Sequence, residues 1–260
     1  MINFSQLEKN IVNLSTEFNS AVPYNHVVID NFCNGDIHKA LESFPEPIDG
    51  KIGKSRDYIF AKNKYEKSNF KECGKELNEL YDDFISNRFK EILCQITKEE
   101  IFLDNSFHGG GIHQGGKESF LDMHVDFNYH PINKDWFRNL NILLYMNKDW
   151  IPEYKGELEL KNKLNNKRNK IEPIFNRCII MFTRDYTLHG YQKTNFPDGS
   201  YRRSIAAYAY SLSKNKLNKE KRSTVWYPEN TNILKRTIGK LWPKLVFYKN
   251  KFFGSSTSKN

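Results

Sequence analysis

From residue 101 onward, short apolar segments alternate with turn residues, and this spacing constrains the fold more than any other feature. Each segment is three to seven residues long, and Gly-rich, Asn-rich or Pro-Asp-Gly turns separate them. Short strands joined by polar turns are typical of antiparallel sandwiches and jelly rolls. The segments are 101–103, 120–125, 140–146, 157–160, 178–182 and 205–210. The sequence therefore predicts a mainly β fold whose core spans residues 101–213.

The first 100 residues follow a helical pattern instead. Apolar residues recur at three- and four-residue steps from Leu77 to Ile96, which predicts one amphipathic helix. Its apolar face needs a sheet or a second helix to cover it. The sequence HVVID at 26–30 predicts a short strand. Residues 1–100 are therefore interpreted as helical and strand support within the same domain.

Composition narrows the class of protein. Hydrophobic residues make up 38% of the 260 and aromatic residues 14%, enough for a packed core rather than a disordered chain. No apolar run approaches the roughly 18 residues that span a bilayer, and the N-terminus lacks a secretory pattern. The four cysteines show no CxxC spacing, which favours reduced thiols over a disulfide framework or zinc site. We expect a cytoplasmic protein.

The formal net charge of +9 is concentrated at the C-terminal end. Residues 214–260 contain 12 basic and 2 acidic residues, whereas the preceding 213 contain 28 and 29. A neutral body argues against a nucleic-acid-binding face across the fold. In the tail, lysines alternate with apolar residues, so two interpretations stay open. It either folds back onto the domain or contacts an anionic membrane peripherally.

His124-Val125-Asp126 lies within a strand-like segment. Alternate strand residues point the same way, so the imidazole and the carboxylate share a face and could chelate one metal ion. Alone this H-x-D pair is weak evidence, since composition gives about a third of one per such chain by chance. His189, at the end of a later apolar segment, could complete a two-His-one-carboxylate face, the ligand set of non-haem Fe(II) oxygenases.

Arg203 begins another strand-like segment. An arginine directed into an apolar barrel needs an anion as partner. A dicarboxylate co-substrate would satisfy it through paired hydrogen bonds. If Arg203 faces the interior, its neighbour Arg202 faces the opposite side.

Several segments together resemble a known family. They are HVD at 124–126, LLYMNKDW at 143–150, GELEL at 156–160 and IEPIFNR at 171–177. From about residue 102 to residue 210 the chain resembles 2-oxoglutarate/Fe(II)-dependent dioxygenases of the prolyl-4-hydroxylase-like branch. The resemblance implies a double-stranded β-helix, a cupin-like jelly roll, with supporting N-terminal helices.

The same resemblance implies roles for individual residues. His124, Asp126 and His189 would bind Fe(II), and Arg203, assisted by the phenol of Tyr145, would bind 2-oxoglutarate. O2 would be the oxidant, with ascorbate as an accompanying reductant, and an unactivated C–H bond would be hydroxylated with release of succinate and CO2. The sequence departs from the family about ten residues before the first ligand, where His113-Gln114 replaces a usual tyrosine.

The sequence leaves alternatives open for the substrate and for the class of protein. A prolyl residue of a peptide is the first substrate candidate. A sugar, a glycolipid or another small molecule is the alternative, because relatives with this iron site act on such compounds. The competing class is a non-catalytic cupin-like binding module, against which the complete set of ligands argues.

Overall fold

The computed structural model describes residues 1–47, 53–54, 57–212, 220–229 and 231–253. The helices within these ranges are α1 (Phe4–Lys9), α2 (Ile11–Ser20), α3 (Ile37–Glu42), α4 (Lys75–Ile85), α5 (Asn87–Thr97) and α6 (Ile233–Phe253). The strands are β1 (His26–Ile29), β2 (Gly53–Lys54), β3 (Ala61–Lys67), β4 (Phe102–Leu103), β5 (Gly111–Val125), β6 (Trp136–Tyr145), β7 (Leu158–Asn162), β8 (Arg168–Ile171), β9 (Arg177–Phe182), β10 (Thr187–Tyr191), β11 (Arg202–Leu212) and β12 (Val225–Trp226).

The strands form one curled, antiparallel sheet. Its order is β1-β9-β6-β11-β5-β10-β7-β8, with β3 and β12 paired to β5, β4 to β11 and β2 to β3. The long strand β5 pairs with β11 through its first half and with β10 near its end, so the sheet turns around it. The predicted mainly β, double-stranded β-helix fold with N-terminal helices is confirmed.

Alternation along the central strands separates two apolar layers. In β6, Leu140, Ile142 and Leu144 belong to the large core shared with the helices. Tyr145 packs instead in a second cluster with residues of β7 and β9. The side-chain period of a strand is two, so successive residues serve the two faces. Polar side chains on the inner face can therefore reach the hollow of the sheet.

The single helix predicted between Leu77 and Ile96 is two helices. Ser86 interrupts it with extended backbone, and its hydroxyl accepts a hydrogen bond from the Phe89 N–H at 3.1 Å. Serine favours this capping position because its oxygen satisfies a free N–H at a helix start. The apolar faces of α4 and α5 are nevertheless buried, as the pattern predicted.

Both flanking regions pack on the core. From the first 100 residues, β1 pairs with β9 and β3 pairs with β5. From the C-terminal end, β12 pairs with β5, and α6 contacts β12. Gly239 of α6 lies so close to this strand that a Cβ would stand 2.7 Å from the Trp226 carbonyl oxygen. The predicted boundary at residues 213–214 lies outside the described residues.

Candidate active site

Two neighbouring strands bring the predicted metal ligands together. His189 of β10 is paired with His124 of β5, and Asp126 follows one residue after β5 ends. Ligand atoms of the three side chains all lie within 4.8 Å of one another. Within the described residues they form the one group of His, Cys, Asp and Glu side chains close enough to hold an ion. Two imidazoles and a carboxylate are the donor set that suits Fe(II).

A backbone contact fixes the first imidazole. His124 Nδ1 lies 2.9 Å from the Asp122 carbonyl oxygen and therefore donates to it. Its Nε2 is directed to the carboxylate, 3.5 Å from Asp126 Oδ1. A hydrogen bond at one ring nitrogen sets the tautomer and leaves the other nitrogen's lone pair for a metal. His189 Nε2 approaches the same carboxylate, 3.4 Å from Oδ2.

Asp126 is held by two side chains of the next strand, β6. Asn141 donates from Nδ2 to Asp126 Oδ2 at 2.7 Å, and Arg138 Nη2 lies 3.3 Å from the same oxygen. Arg138 is only 2% exposed, and its guanidinium lies 3.5 Å from the Tyr208 ring centroid. Sequence reasoning missed both residues. The alternation of Asn139 and Asn141 with leucine and isoleucine indicates a polar face that contains Asn141, whereas no such pattern identifies Arg138.

The electrostatics favour metal-binding protonation states. Burial alone would raise the pKa of Asp126, but Arg138 and the two imidazoles hold that pKa well below its usual range. Burial, together with His124, lowers the pKa of His189 to about 3. A carboxylate that is ionised and an imidazole that is neutral are the forms that bind metal ions. The residues present therefore fit Fe(II).

The triad lines a cavity of about 190 Å³, the active-site cavity. Arg202 and Tyr145 line it too, and Arg202 Nη2 donates to the Tyr145 phenol oxygen at 2.9 Å. Arg202 Nε donates to the Gly156 carbonyl at 2.6 Å, and its guanidinium lies 4.1 Å from the Tyr191 ring centroid. Nη1 makes no hydrogen bond with the described residues, so it can receive an anion.

The expectation that Arg203 faces this interior is wrong. Arg203 does not line the cavity, and its Nε donates to Gln114 Oε1 at 2.9 Å. The reason is that side chains alternate between the two faces of a strand. Ser204 is paired with Tyr145 and lines the cavity, so Arg202, two residues earlier, shares that face. Arg203 shares the face of Ile205, which packs in the core with the helices.

Residues outside the predicted core, together with His113 of β5, complete the cavity. Lys64 of β3 lines it and lies 2.7 Å from the carboxylate of Glu66. His113, which replaces the usual tyrosine, also lines it, and burial lowers its pKa to about 3. The ring of Trp226 in β12 is tilted against the His124 ring, with 4.7 Å between the ring centroids. No local sequence signal pointed to Lys64 or Trp226, because strand pairings distant in sequence bring them here.

Besides His113, four histidines lie outside the metal cluster. His38 stacks on Phe175, and His108 lies against His130. His26 is only 5% exposed and His130 only 2%. His26 bonds the Tyr24 carbonyl, and His130 Nδ1 accepts backbone N–H groups of the following turn. Buried histidines with such partners have structural roles.

Residues 110–210 match the family model described as the 2OG-Fe(II) oxygenase superfamily. This region is a 2OG-Fe(II) oxygenase core. The matched residues contain all three residues of the triad as well as Tyr145 and Arg202, and the protein is a 2-oxoglutarate- and Fe(II)-dependent enzyme. No protein of curated function matches the sequence at a significant level.

Solved structures of prolyl hydroxylases share the fold of this oxygenase. A prolyl-4-hydroxylase of Pseudomonas putida is 14% identical with a TM-score of 0.53, covering 76% of this chain and 98% of that one. A Trichoplax adhaerens prolyl hydroxylase, solved with a hypoxia inducible factor peptide fragment, is 16% identical with a TM-score of 0.54, covering 81% and 94%. A Phytophthora capsici prolyl 4-hydroxylase is 15% identical with a TM-score of 0.55, covering 85% and 71%.

Proposed function

We propose that this oxygenase hydroxylates an unactivated C–H bond, with Arg202 and Tyr145 as the anchor for 2-oxoglutarate. The observation that carries the proposal is that the triad and the Arg202–Tyr145 pair line one cavity. His124, Asp126 and His189 would hold Fe(II). With 2-oxoglutarate and O2, the metal supplies oxidation of the C–H bond with release of succinate and CO2.

The protein's own residues orient the co-substrate. A guanidinium binds a carboxylate through parallel hydrogen bonds, and Arg202 retains Nη1 for that purpose. The Tyr145 phenol, already an acceptor from Arg202, can donate its own proton to the same carboxylate. Burial raises the pKa of Tyr145, so the phenol keeps that proton at neutral pH. The pair thus recognises the end of the dicarboxylate that does not bind the metal.

Asp126 and Asn141 keep the metal face in place. Asn141 Nδ2 bonds the carboxylate and also lies 3.5 Å from His189 Nε2, so it contacts two of the three ligands. Trp226 covers His124 and limits access of water to that imidazole. These contacts hold the ligands in position before the metal binds.

Two substrate classes remain under this proposal. A prolyl residue of a peptide is supported by the shared fold with prolyl hydroxylases. A hydroxyl-bearing small molecule, such as a sugar or glycolipid, is favoured by unpaired polar atoms at the cavity. His113 Nε2 and Trp226 Nε1 are buried and have no hydrogen-bond partner among the described residues. Buried polar atoms without partners are rare and call for a ligand or water.

Succinate release tests the proposal. Purified protein with Fe(II), ascorbate, 2-oxoglutarate and O2 should form succinate, and prolyl peptides or polyols should stimulate it according to the substrate class. Asp126→Ala should abolish turnover, while Asp198→Ala, an exposed carboxylate paired with Lys117, should leave it unchanged. Undiminished succinate formation in Asp126→Ala would refute the ligand assignment.

We also propose that α6 contacts an anionic membrane peripherally from the cytoplasm. The support is an exposed apolar stripe at helical spacing, formed by Leu234, Leu241, Leu245 and Tyr248, on a helix that also carries Lys240 and Lys244. Among the described residues no helix combines the length and apolar character needed to cross a membrane. The four free cysteines support a reducing compartment.

Vesicle flotation tests the membrane contact. Full-length protein should float with phosphatidylserine vesicles and not with phosphatidylcholine vesicles. Leu241→Ser with Leu245→Ser should abolish flotation, whereas Ile132→Ser, an exposed apolar residue far from α6 in sequence, should not change it. Equal flotation of the stripe variant and the wild type would remove the proposal.

A further inference from the structure

A second cleft, larger than the active-site cavity, lies between the β7–β8 hairpin and α6. Its volume is about 440 Å³. The charged residues that line it are Lys161, Lys163 and Arg168 of the hairpin region, Arg236 and Lys240 of α6, and Glu229 of the segment between β12 and α6. We call it the basic cleft. Five cations and one carboxylate give its lining a strong excess of positive charge.

The one carboxylate compensates only part of that charge. Glu229 accepts from Lys161 Nζ at 2.8 Å and from both terminal nitrogens of Arg168 at 2.6 Å. Lys163 Nζ bonds the phenol oxygen of Tyr227 at 2.9 Å, a neutral partner. The positive charge of Lys163 therefore stays uncompensated within the described residues.

The two α6 cations have no side-chain partner at all among the described residues. Arg236 and Lys240 are four residues apart, one turn along the same helix face, and both line the cleft. Neither makes an ion pair or side-chain hydrogen bond with a described residue. Uncompensated cations gathered in one concave site attract an anion from solution.

The helix that carries these cations is fixed in place. Lys235 Nζ lies 2.7 Å from Asp122 Oδ2 on β5, and Gly239 packs against the Trp226 carbonyl. The two α6 cations are thus held facing the hairpin rather than carried on a mobile tail. Trp226 lines the cleft as well as the active-site cavity, and its buried N–H has no acceptor among the described residues.

We propose that the basic cleft binds a phosphate- or diphosphate-bearing ligand. Guanidinium groups bind phosphate oxygens through paired hydrogen bonds, and ammonium groups add point charges. The ligand is either a soluble phosphate compound or the headgroup of a lipid; the two share this chemistry. The site needs none of the Fe(II) ligands, so it stands whether or not the hydroxylase proposal holds.

Calorimetric titration of the metal-free full-length protein with pyrophosphate tests the site. We expect saturable one-site binding that weakens by about tenfold or more in the Arg236→Gln/Lys240→Gln double variant, because two charge-assisted contacts are lost. Lys244→Gln is the matched control, one turn further on the same helix and outside the cleft lining. Both sites of substitution are exposed, and equal melting temperatures would show that the fold is kept.

Flotation with phosphatidic acid vesicles separates the two sources of phosphate. If pyrophosphate binds and also displaces the protein from the vesicles, the ligand is a soluble phosphate compound. Vesicle binding without pyrophosphate binding identifies a lipid phosphomonoester if it depends on Arg236 and Lys240 and exceeds binding to phosphatidylserine vesicles. The proposal is overturned if wild-type protein binds no pyrophosphate and binds phosphatidic acid vesicles no better than phosphatidylserine vesicles, or if Lys244→Gln loses as much pyrophosphate affinity as the double variant.

Discussion

Arg202 and Tyr145, 57 residues apart in the chain, share a buried hydrogen bond of 2.9 Å inside the curled sheet. The contact exists because β11 and β6 are neighbours and Ser204 is paired with Tyr145. Because side chains alternate along a strand, Arg202 lies on the cavity face and Arg203 on the opposite face. Two adjacent arginines therefore have different surroundings, and substitution of each can separate co-substrate binding from structure.

Arg202→Gln should raise the KM for 2-oxoglutarate by about 10- to 100-fold, since a hydrogen bond to a charged group contributes about 1.5–3 kcal/mol. Arg203→Gln is the matched control and should leave that KM close to the wild-type value. Initial rates of succinate formation at varied 2-oxoglutarate concentration give both constants. A larger effect in Arg203→Gln than in Arg202→Gln would contradict the assignment of the anchor.

Tyr145→Phe should raise the same KM by a smaller factor, about three- to tenfold, because the phenol's hydrogen bond to the carboxylate is lost while Arg202 still binds it and the buried ring is kept. The double variant with Arg202→Gln should show less than the product of the two effects, since both groups contact one carboxylate. A full multiplicative effect would indicate that Tyr145 acts elsewhere.

Asn141→Ala should weaken Fe(II) binding by about 10- to 100-fold, the usual effect of removing a hydrogen bond to a metal ligand. Asn139→Ala is the comparison, because Asn139 bonds Ser211 rather than Asp126. Anaerobic Fe(II) titration followed by intrinsic fluorescence provides the affinities. Equal affinities for the two variants would show that Asn141 does not hold the carboxylate.

Trp226→Ala should lower the free energy of unfolding by about 3–5 kcal/mol, the typical cost of truncating a buried large aromatic residue. Trp226 is 4% exposed and stacks on Phe60 with ring centroids 5.1 Å apart. Trp150→Ala, at a partly exposed tryptophan, should cost clearly less. Urea unfolding measures both, and a smaller loss in Trp226→Ala would show that the C-terminal segment is not part of the core.

His113 should make the metal-free protein less stable in acid. Its pKa is lowered by burial from 6.5 to about 3 in the folded state, so the unfolded chain binds the proton first as pH falls. The stabilisation is complete above pH 6.5 and is lost as pH falls towards 3, with a slope of up to about 1.4 kcal/mol per pH unit. Between pH 7.5 and pH 4.5, the free energy of unfolding should decline less steeply in His113→Gln than in the wild type. Identical slopes of the free energy of unfolding against pH would contradict a buried, neutral His113.

Much of the fold followed from local patterns. The two-residue and three-to-four-residue periods identified the β core and the N-terminal helices, because burial of one face requires them. The H-x-D pair placed His124 and Asp126 on one face by the same rule, and His189 followed from the end of an apolar segment. These three residues meet in the structure.

The cavity residues that were predicted wrongly or missed depend on pairing between strands that are distant in the sequence. Arg202 could have been preferred from the strand itself, because Ile205, Ala207 and Ala209 mark the helix-facing side and leave even-numbered residues to the cavity. Lys64 and Trp226 reach the cavity through pairings of β3 and β12 with β5, which no local pattern encodes. The C-terminal tail was basic in composition, yet part of it is a wall of the active site.

Anaerobic titration of the purified protein with Fe(II) and 2-oxoglutarate tests the central claim most directly, because it needs no knowledge of the substrate. We predict a weak visible metal-to-ligand charge-transfer band that saturates with 2-oxoglutarate. The band should be lost in His189→Ala and should require higher 2-oxoglutarate concentration in Arg202→Gln. Absence of the band in folded wild-type protein, or its persistence in His189→Ala, would contradict the proposed iron and co-substrate site.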